Sequence, residues 1–256
     1  MKYVRFQIGG GIINTGILYG NHIRRVEGSL FGPFRMTFEE YDLKKIRIMP
    51  PLYPGKIVGI GANYRSFLDS TKREPPSRPK IFLKPSSSVI ADGEDIICPD
   101  PSHVVSFEGE LGVVIGKPCT RVPEKNAMSC VFGYTCINDL TDRTMLEEDG
   151  IWARGKGLDT FSPVGPCITD ETDGMDLMIE TRVNGRVMQH MSTADMYFSI
   201  PELISYISRH MTLLPGDLIA TGTPAESGCL SIGDTVEVEI QGIGALHNKM
   251  IERTDQ

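Results

Sequence analysis

The 256-residue sequence contains no apolar stretch approaching the roughly 20 residues that a membrane-crossing helix needs. It also lacks any Lys/Arg-rich run able to track a phosphate backbone, and its net charge is -7, so nucleic acid is not an expected partner. Residues 1–8 alternate like a strand and have no apolar core of the secretory kind. The expectation is therefore a cytoplasmic protein without a membrane partner. No C-x-x-C pair occurs among the six cysteines, Cys98, Cys119, Cys130, Cys136, Cys167 and Cys229. A chain of this length buries a core without disulfide staples, so these thiols read as reduced core residues in apolar, strand-like surroundings. Internal repeats, low-complexity tracts and heptads are also missing. What remains is an ordinary globular composition, 40% hydrophobic and 23% charged. It suits one sizeable domain with a small appendage and excludes large-scale disorder.

Residues 1–53 read as a small N-terminal domain of short strands and turns, with Gly9-Gly10-Gly11 as a turn and a short helix assigned to the charged stretch 37–46. Pro50, Pro51 and Pro54 mark a linker, and the boundary is placed near residue 53. Residues 54–256 are strand-rich. The candidate strands are 56–60, 80–83, 107–115, 131–138, 178–183, 217–221 and 235–240, rich in β-branched residues and bounded by Gly, Pro, Asn and Asp. A helix is expected over 201–210, with Leu203, Ile204 and Ile207 on one face, Pro201 at its start and Pro215-Gly216 beyond its end. A shorter one is expected over 140–148. The class is α+β and β-rich. Segment 66–79 is polar and holds three prolines; it reads equally as a lid over a site or as a plain surface loop.

The chemistry concentrates in a few places. Phe107-Glu108-Gly109-Glu110-Leu111 sets two carboxylates at i and i+2 in an apolar strand, which would project them to one face. Two like charges there repel and are costly to bury, and a divalent cation relieves both problems. Asp139 closes the apolar run 131–138 and supplies a third carboxylate. Oxygen donors of this kind suit Mg2+, Mn2+ or Ca2+. The alternative is a solvated strand face at Glu108 and Glu110, with Asp139 capping the next helix. Lys156 lies among glycines and aromatics in 152–161, where it either stabilises a developing enolate or is a surface lysine in a loop. Thr221-Gly222-Thr223 offers hydroxyls and N–H groups to a carboxylate, or is a simple turn.

Taken in order, Gly61-Ala62-Asn63-Tyr64-Arg65, Phe82-Leu83-Lys84-Pro85, Phe107-Glu108-Gly109-Glu110-Leu111, Cys136-Ile137-Asn138-Asp139, Lys156-Gly157-Leu158-Asp159-Thr160-Phe161 and Pro215-Gly216-Asp217-Leu218-Ile219-Ala220-Thr221-Gly222-Thr223-Pro224 resemble the fumarylacetoacetate hydrolase family. The resemblance runs from about residue 55 to about residue 250. It implies a β-roll-like catalytic core beside the small N-terminal β domain, assembled as a homodimer. It implies Mg2+ or Mn2+ held by Glu108, Glu110 and Asp139, and a small 2-oxo acid as substrate. Lys156 and Arg143 match the family's catalytic lysine and arginine; Thr223, Tyr64 and Arg65 fall in its substrate-binding segments.

Two departures bear on the reaction. The histidine that activates water in hydrolytic members is here Phe67, and a frequent glutamine is here Leu146. Loss of a general base typically costs about 10²–10⁴-fold. The expected chemistry is therefore isomerisation, tautomerisation or decarboxylation through a metal-bound enolate. C–C hydrolysis with a relocated base is the alternative, and a non-catalytic ligand-binding homologue is another. Asp69, Lys72, Glu74 and His103 are the candidate replacements for the missing base.

Overall fold

A computed structural model of the chain describes residues 1–225 and 227–253. The N-terminal part is a strand meander of β1 (Lys2–Gln7), β2 (Ile13–Tyr19), β3 (His22–Gly28) and β4 (Phe34–Asp42), followed by β5 (Arg47–Met49). The helix expected over 37–46 is absent. Residues 37–42 complete β4, and only a 3-10 turn, Leu43–Lys45, follows, with the Asp42 side chain accepting from Lys44 N. The charges there serve as cross-strand partners rather than as a solvated helix face: Arg24 pairs with Glu40, Arg25 with Glu39 and Arg35 with Glu27.

The chain continues through β6 (Ile57–Gly61), α1 (Arg65–Ser70), β7 (Lys80–Lys84), β8 (Val89–Ile90), β9 (Asp95–Cys98), β10 (Val105–Ser106), β11 (Gly109–Ile115), α2 (Glu124–Ala127) and β12 (Val131–Asn138). Next come β13 (Thr141–Asp142), α3 (Arg143–Asp149), α4 (Trp152–Lys156), β14 (Ser162–Thr169), β15 (Met178–Val183), β16 (Arg186–Ser192) and α5 (Ile200–His210). Last are β17 (Leu218–Ala220), β18 (Cys229–Leu230), β19 (Thr235–Ile240) and β20 (Gly244–Glu252).

Among the described residues a 12-stranded sheet runs β4-β3-β2-β1-β14-β12-β11-β17-β6-β7, with β5 beside β1 and β8 beside β14. The N-terminal meander thus extends the large sheet, Lys2 facing Thr169 and Tyr3 facing Ile168. A five-stranded sheet, β16-β15-β19-β20-β9, and a three-stranded one, β13-β10-β18, complete the β structure.

All seven residues of β11 are buried. A strand covered on both faces needs apolar residues throughout, so its sequence reads as a run rather than an alternation. Leu111, Val113 and Ile115 pack with Ile179 and Val238 of the smaller sheet and with Leu203, Ile204 and Ile207 of α5. Val114 packs in a second cluster with Ile137, Ile168 and Leu218. Helix α5 begins one residue earlier than expected, at a Ser199/Glu202 capping box.

Two expected elements break where the site is built. The strand expected over 107–115 is interrupted at Phe107 and Glu108, leaving β10 before the gap and β11 after it. The helix expected over 140–148 starts only at Arg143, because Thr141 and Asp142 pair with Ser106 and Val105. Asp142, not Asp139, caps it by accepting from Met145 N. Five of the six cysteines are buried free thiols, but Cys229 is exposed on β18. No helix among the described residues is long and apolar enough to cross a membrane.

Candidate metal centre and active site

Glu108 lies in the gap between β10 and β11. Its N–H donates to Asn138 Oδ1 at 3.0 Å, and its carbonyl accepts from Asp139 N at 2.9 Å. These bonds latch the end of β12 onto the start of β11, where Gly109 faces Asn138. Glu110 is the second residue of β11, and its Oε2 accepts from Gly222 N at 2.8 Å. Gly222 has φ +97°, which a Cβ would strain, and that Cβ would stand 2.9 Å from the Asn63 Cβ. One carboxylate oxygen from each of Glu108, Glu110 and Asp139 lies within 4.8 Å of the other two. Convergence therefore occurs, but through the latch between strand ends and not through simple alternation along one strand. Three hard oxygen donors this close fit a divalent cation of the Mg2+ or Mn2+ kind.

Two lysines enter the same cluster. Lys156, the last residue of α4, donates to Glu108 Oε2 at 2.9 Å and to Asp139 Oδ2 at 2.7 Å. Its Nζ also stands 4.8 Å from the centre of the Phe82 ring. Lys84, at the end of β7, is 1% exposed and donates to Asp139 Oδ1, Leu140 O and Phe161 O. Burial pulls the Lys156 pKa down, but the carboxylates of Asp139, Glu108 and Glu110 outweigh it and hold its pKa above the ordinary lysine value. For Lys84 burial wins over the attraction of Asp139, and its pKa is lowered. Burial pushes Asp139 up, yet Lys156 and Lys84 outweigh that and keep it below the usual carboxylate range. Glu110 is raised well above that range, first by burial and then by the charges of Asp139 and Glu108.

A cavity of about 270 Å³ opens over this cluster. Its lining includes Glu108, Lys156, Arg143, Thr223, Thr141 and Lys80, with Phe67, Phe82, Leu146 and Trp152 as apolar wall. Lys156, Arg143 and Thr223 thus come together with the acidic cluster. Tyr64 and Arg65 do not reach the cavity. Tyr64 is fully buried in the core, its backbone forms an isolated bridge to Met196, and its hydroxyl has no hydrogen-bond partner among the described residues. Arg65 is exposed, donates to Met196 O and lies over the Tyr197 ring. Phe67 and Arg73 from segment 66–79 do line the cavity, with the Arg73 guanidinium 5.6 Å from the Phe67 ring centre.

None of the proposed replacement bases lines it. Asp69, Lys72 and Glu74 are exposed elsewhere, and His103 is tied to Asp142 Oδ2 at 2.7 Å. The carboxylate on the wall beside Glu108 is instead Glu147 of α3. Sequence reasoning gave no role to Glu147, Lys84 or Gln189. Glu147 sits four residues after Arg143, one helical turn along, and that spacing was the available signal.

Comparison with known proteins places these observations. Residues 56–251 match the family described as fumarylacetoacetate (FAA) hydrolase C-terminal, and residues 1–51 match one described as Rv2993c-like, N-terminal. The oxaloacetate tautomerase YisK of Bacillus subtilis is 40% identical over 227 residues, covering 82% of this chain and 75% of that protein. The structure of a 5-carboxymethyl-2-hydroxymuconate delta-isomerase from Mycobacterium smegmatis superposes with a TM-score of 0.92 at 35% identity, covering 99% of this chain and 100% of that one. A maleylpyruvate hydrolase from Sphingobium sp. SYK-6, solved with manganese(II) and pyruvate, gives a TM-score of 0.83 at 26% identity, again over 99% and 100% of the two chains.

Proposed function

Because the chain belongs to the fumarylacetoacetate hydrolase family and is an enzyme of that family, we propose that it acts on a small 2-oxo acid by tautomerisation or decarboxylation through an enolate. The observation that carries this reading is a carboxylate triad sharing its space with a protonated lysine under a cavity that, among the described residues, no histidine lines. Glu108, Glu110 and Asp139 would hold Mg2+ or Mn2+. Such an ion, when bound, supplies Lewis-acid stabilisation of the charge that develops on the keto oxygen.

The chain's own groups do the rest. Lys156 keeps its proton and presents a fixed positive charge to an oxygen that becomes negative. Thr223 Oγ1 and the Arg143 guanidinium line the same space and suit the substrate carboxylate. Phe67, Phe82 and Trp152 exclude water from one side, which favours proton shifts and carbon dioxide loss over attack by water. Glu147 is the carboxylate able to carry a proton to or from the carbon next to the keto group. The working unit in this reading is a homodimer.

The test is to supply oxaloacetate and, separately, an acylpyruvate to the purified protein with Mg2+ or Mn2+. Decay of enol absorbance or release of carbon dioxide from oxaloacetate, abolished by chelator, is the expected result. Cleavage of the acylpyruvate into two acids, with oxaloacetate untouched, would overturn the reading in favour of a hydrolase. Light scattering tests the assembly, where a monomer mass counts against the dimer.

A further inference from the structure

We propose that Gln189 is a positioning residue that sets the direction of the Thr223 hydroxyl proton, so that Thr223 donates to the substrate carboxylate. The inference rests on the reading of Thr223 as a substrate-binding residue and deepens it. Gln189 is fully buried on β16, a strand whose other residues are half-buried or exposed. A buried amide is costly unless each end is bonded, and here both are. Its Oε1 accepts from Gly109 N at 3.1 Å. A backbone N–H only donates, so this bond settles which end of the amide is oxygen. The Nε2 group therefore faces the other way and donates to Thr223 Oγ1 at 2.9 Å and to Pro224 O at 3.2 Å.

The consequence for Thr223 follows from hydrogen-bond counting. A hydroxyl has one proton and two lone pairs, and Gln189 occupies one lone pair. The proton cannot point at Gln189. Its acceptor is Gly109 O at 3.3 Å, a long bond. A carboxylate oxygen in the cavity is a stronger acceptor and would take that proton readily. Gln189 does not line the cavity, so its effect on a bound carboxylate runs through Thr223. One side chain thus links the residue between two metal-ligating glutamates to the hydroxyl that meets the substrate.

Gln189→Glu keeps the length and the acceptor for Gly109 N–H but replaces the donor facing Thr223 with an acceptor. The hydroxyl would then turn its proton inward and offer lone pairs to an anion. Oxalate is the probe, titrated calorimetrically into wild type and variant loaded with Mg2+, with Mg2+ binding alone measured beside it. The expected result is a loss of about tenfold or more in oxalate affinity that exceeds any change in Mg2+ affinity. In a Thr223→Val background the same Gln189 change is expected to have no further effect, which a general loosening of the site would not reproduce. Should Gln189→Glu fold poorly, Gln189→Met serves, with a smaller loss that also vanishes in Thr223→Val. Oxalate affinity equal to wild type, or a loss that persists without the Thr223 hydroxyl, would overturn the inference while leaving the proposed function standing. Failure of wild type to bind oxalate with Mg2+ would overturn the proposed function itself, and the inference with it.

Discussion

Asp139 accepts from two different ammonium groups, Lys84 on one oxygen and Lys156 on the other. Asp139→Asn keeps the volume but removes the charge that both lysines face. Mg2+ affinity is expected to fall further than the roughly 10–100-fold typical of residues that only support metal ligands, as read by calorimetry. Thermal stability of the metal-free protein should drop as well, because Lys84 is left fully buried with little to balance it. At this scale the sequence was readable where ordered motifs, rather than residue type alone, pointed to chemistry. Residue type left a metal site or a solvated face open for Glu108, Glu110 and Asp139, and an active-site or surface lysine open for Lys156; the family resemblance singled the four out. Lys84 could not be read that way, since the lysines at the two ends of its strand look alike and only the fold buries one of them. Gln189 was equally silent, because its partners Gly109 and Thr223 lie 80 and 34 residues away.

Gly109 opens β11 and stands between two site glutamates. A Cβ there would come within 2.1 Å of Thr181 Oγ1 and 3.2 Å of Gln189 Oε1. Gly109→Ala is therefore expected to push the strand end away from the smaller sheet and to weaken Mg2+ binding without altering any ligand, again by calorimetry. Helix α3 carries Arg143, Leu146 and Glu147 into the cavity, and its cap Asp142 is held by His103. The hydrogen bond to Asp142 raises the His103 pKa above its ordinary 6.5, with burial pulling weakly the other way. A raised histidine stabilises the fold fully below pH 6.5 and loses that contribution as pH climbs through its folded value. The melting-temperature difference between wild type and His103→Gln should therefore be largest on the acid side and shrink above neutrality. Element reading succeeded for strands covered on both faces, where apolar runs leave little ambiguity. It failed at the 107–108 break and over 37–46, where backbone bonds to Asn138 and cross-strand ion pairs, both long-range, decide the outcome.

Across the whole molecule, the N-terminal meander and the site-bearing strands share one sheet through β1 and β14. Tyr3 packs against Phe132 with ring centres 5.0 Å apart, and Val4 and Phe6 enter the main core. No residue before Ile60 lines the cavity. Deleting residues 1–51 should therefore leave the site residues in place while uncovering the β14 edge and apolar core. The expected outcome is poor soluble yield and a lowered melting temperature; an unchanged melting temperature would mark the meander as an independent unit. The family-level motifs made the family and its β-rich fold legible from sequence. The joining of the meander to the large sheet was not, since it depends on strands more than 150 residues apart.

The elevated pKa of Glu110 has an effect outside the protein. Burial and the neighbouring charges of Asp139 and Glu108 favour the protonated form of Glu110, whereas a cation seated among the three carboxylates would favour the ionised form. A divalent ion held by Glu110 competes with a proton for that carboxyl, so loading the site is expected to release protons to the medium. Calorimetric titrations of Mg2+ in buffers of different ionisation enthalpy would register the protons expelled. Hydrogen ions and metal then compete at the cluster, so Mg2+ affinity is expected to weaken as pH falls.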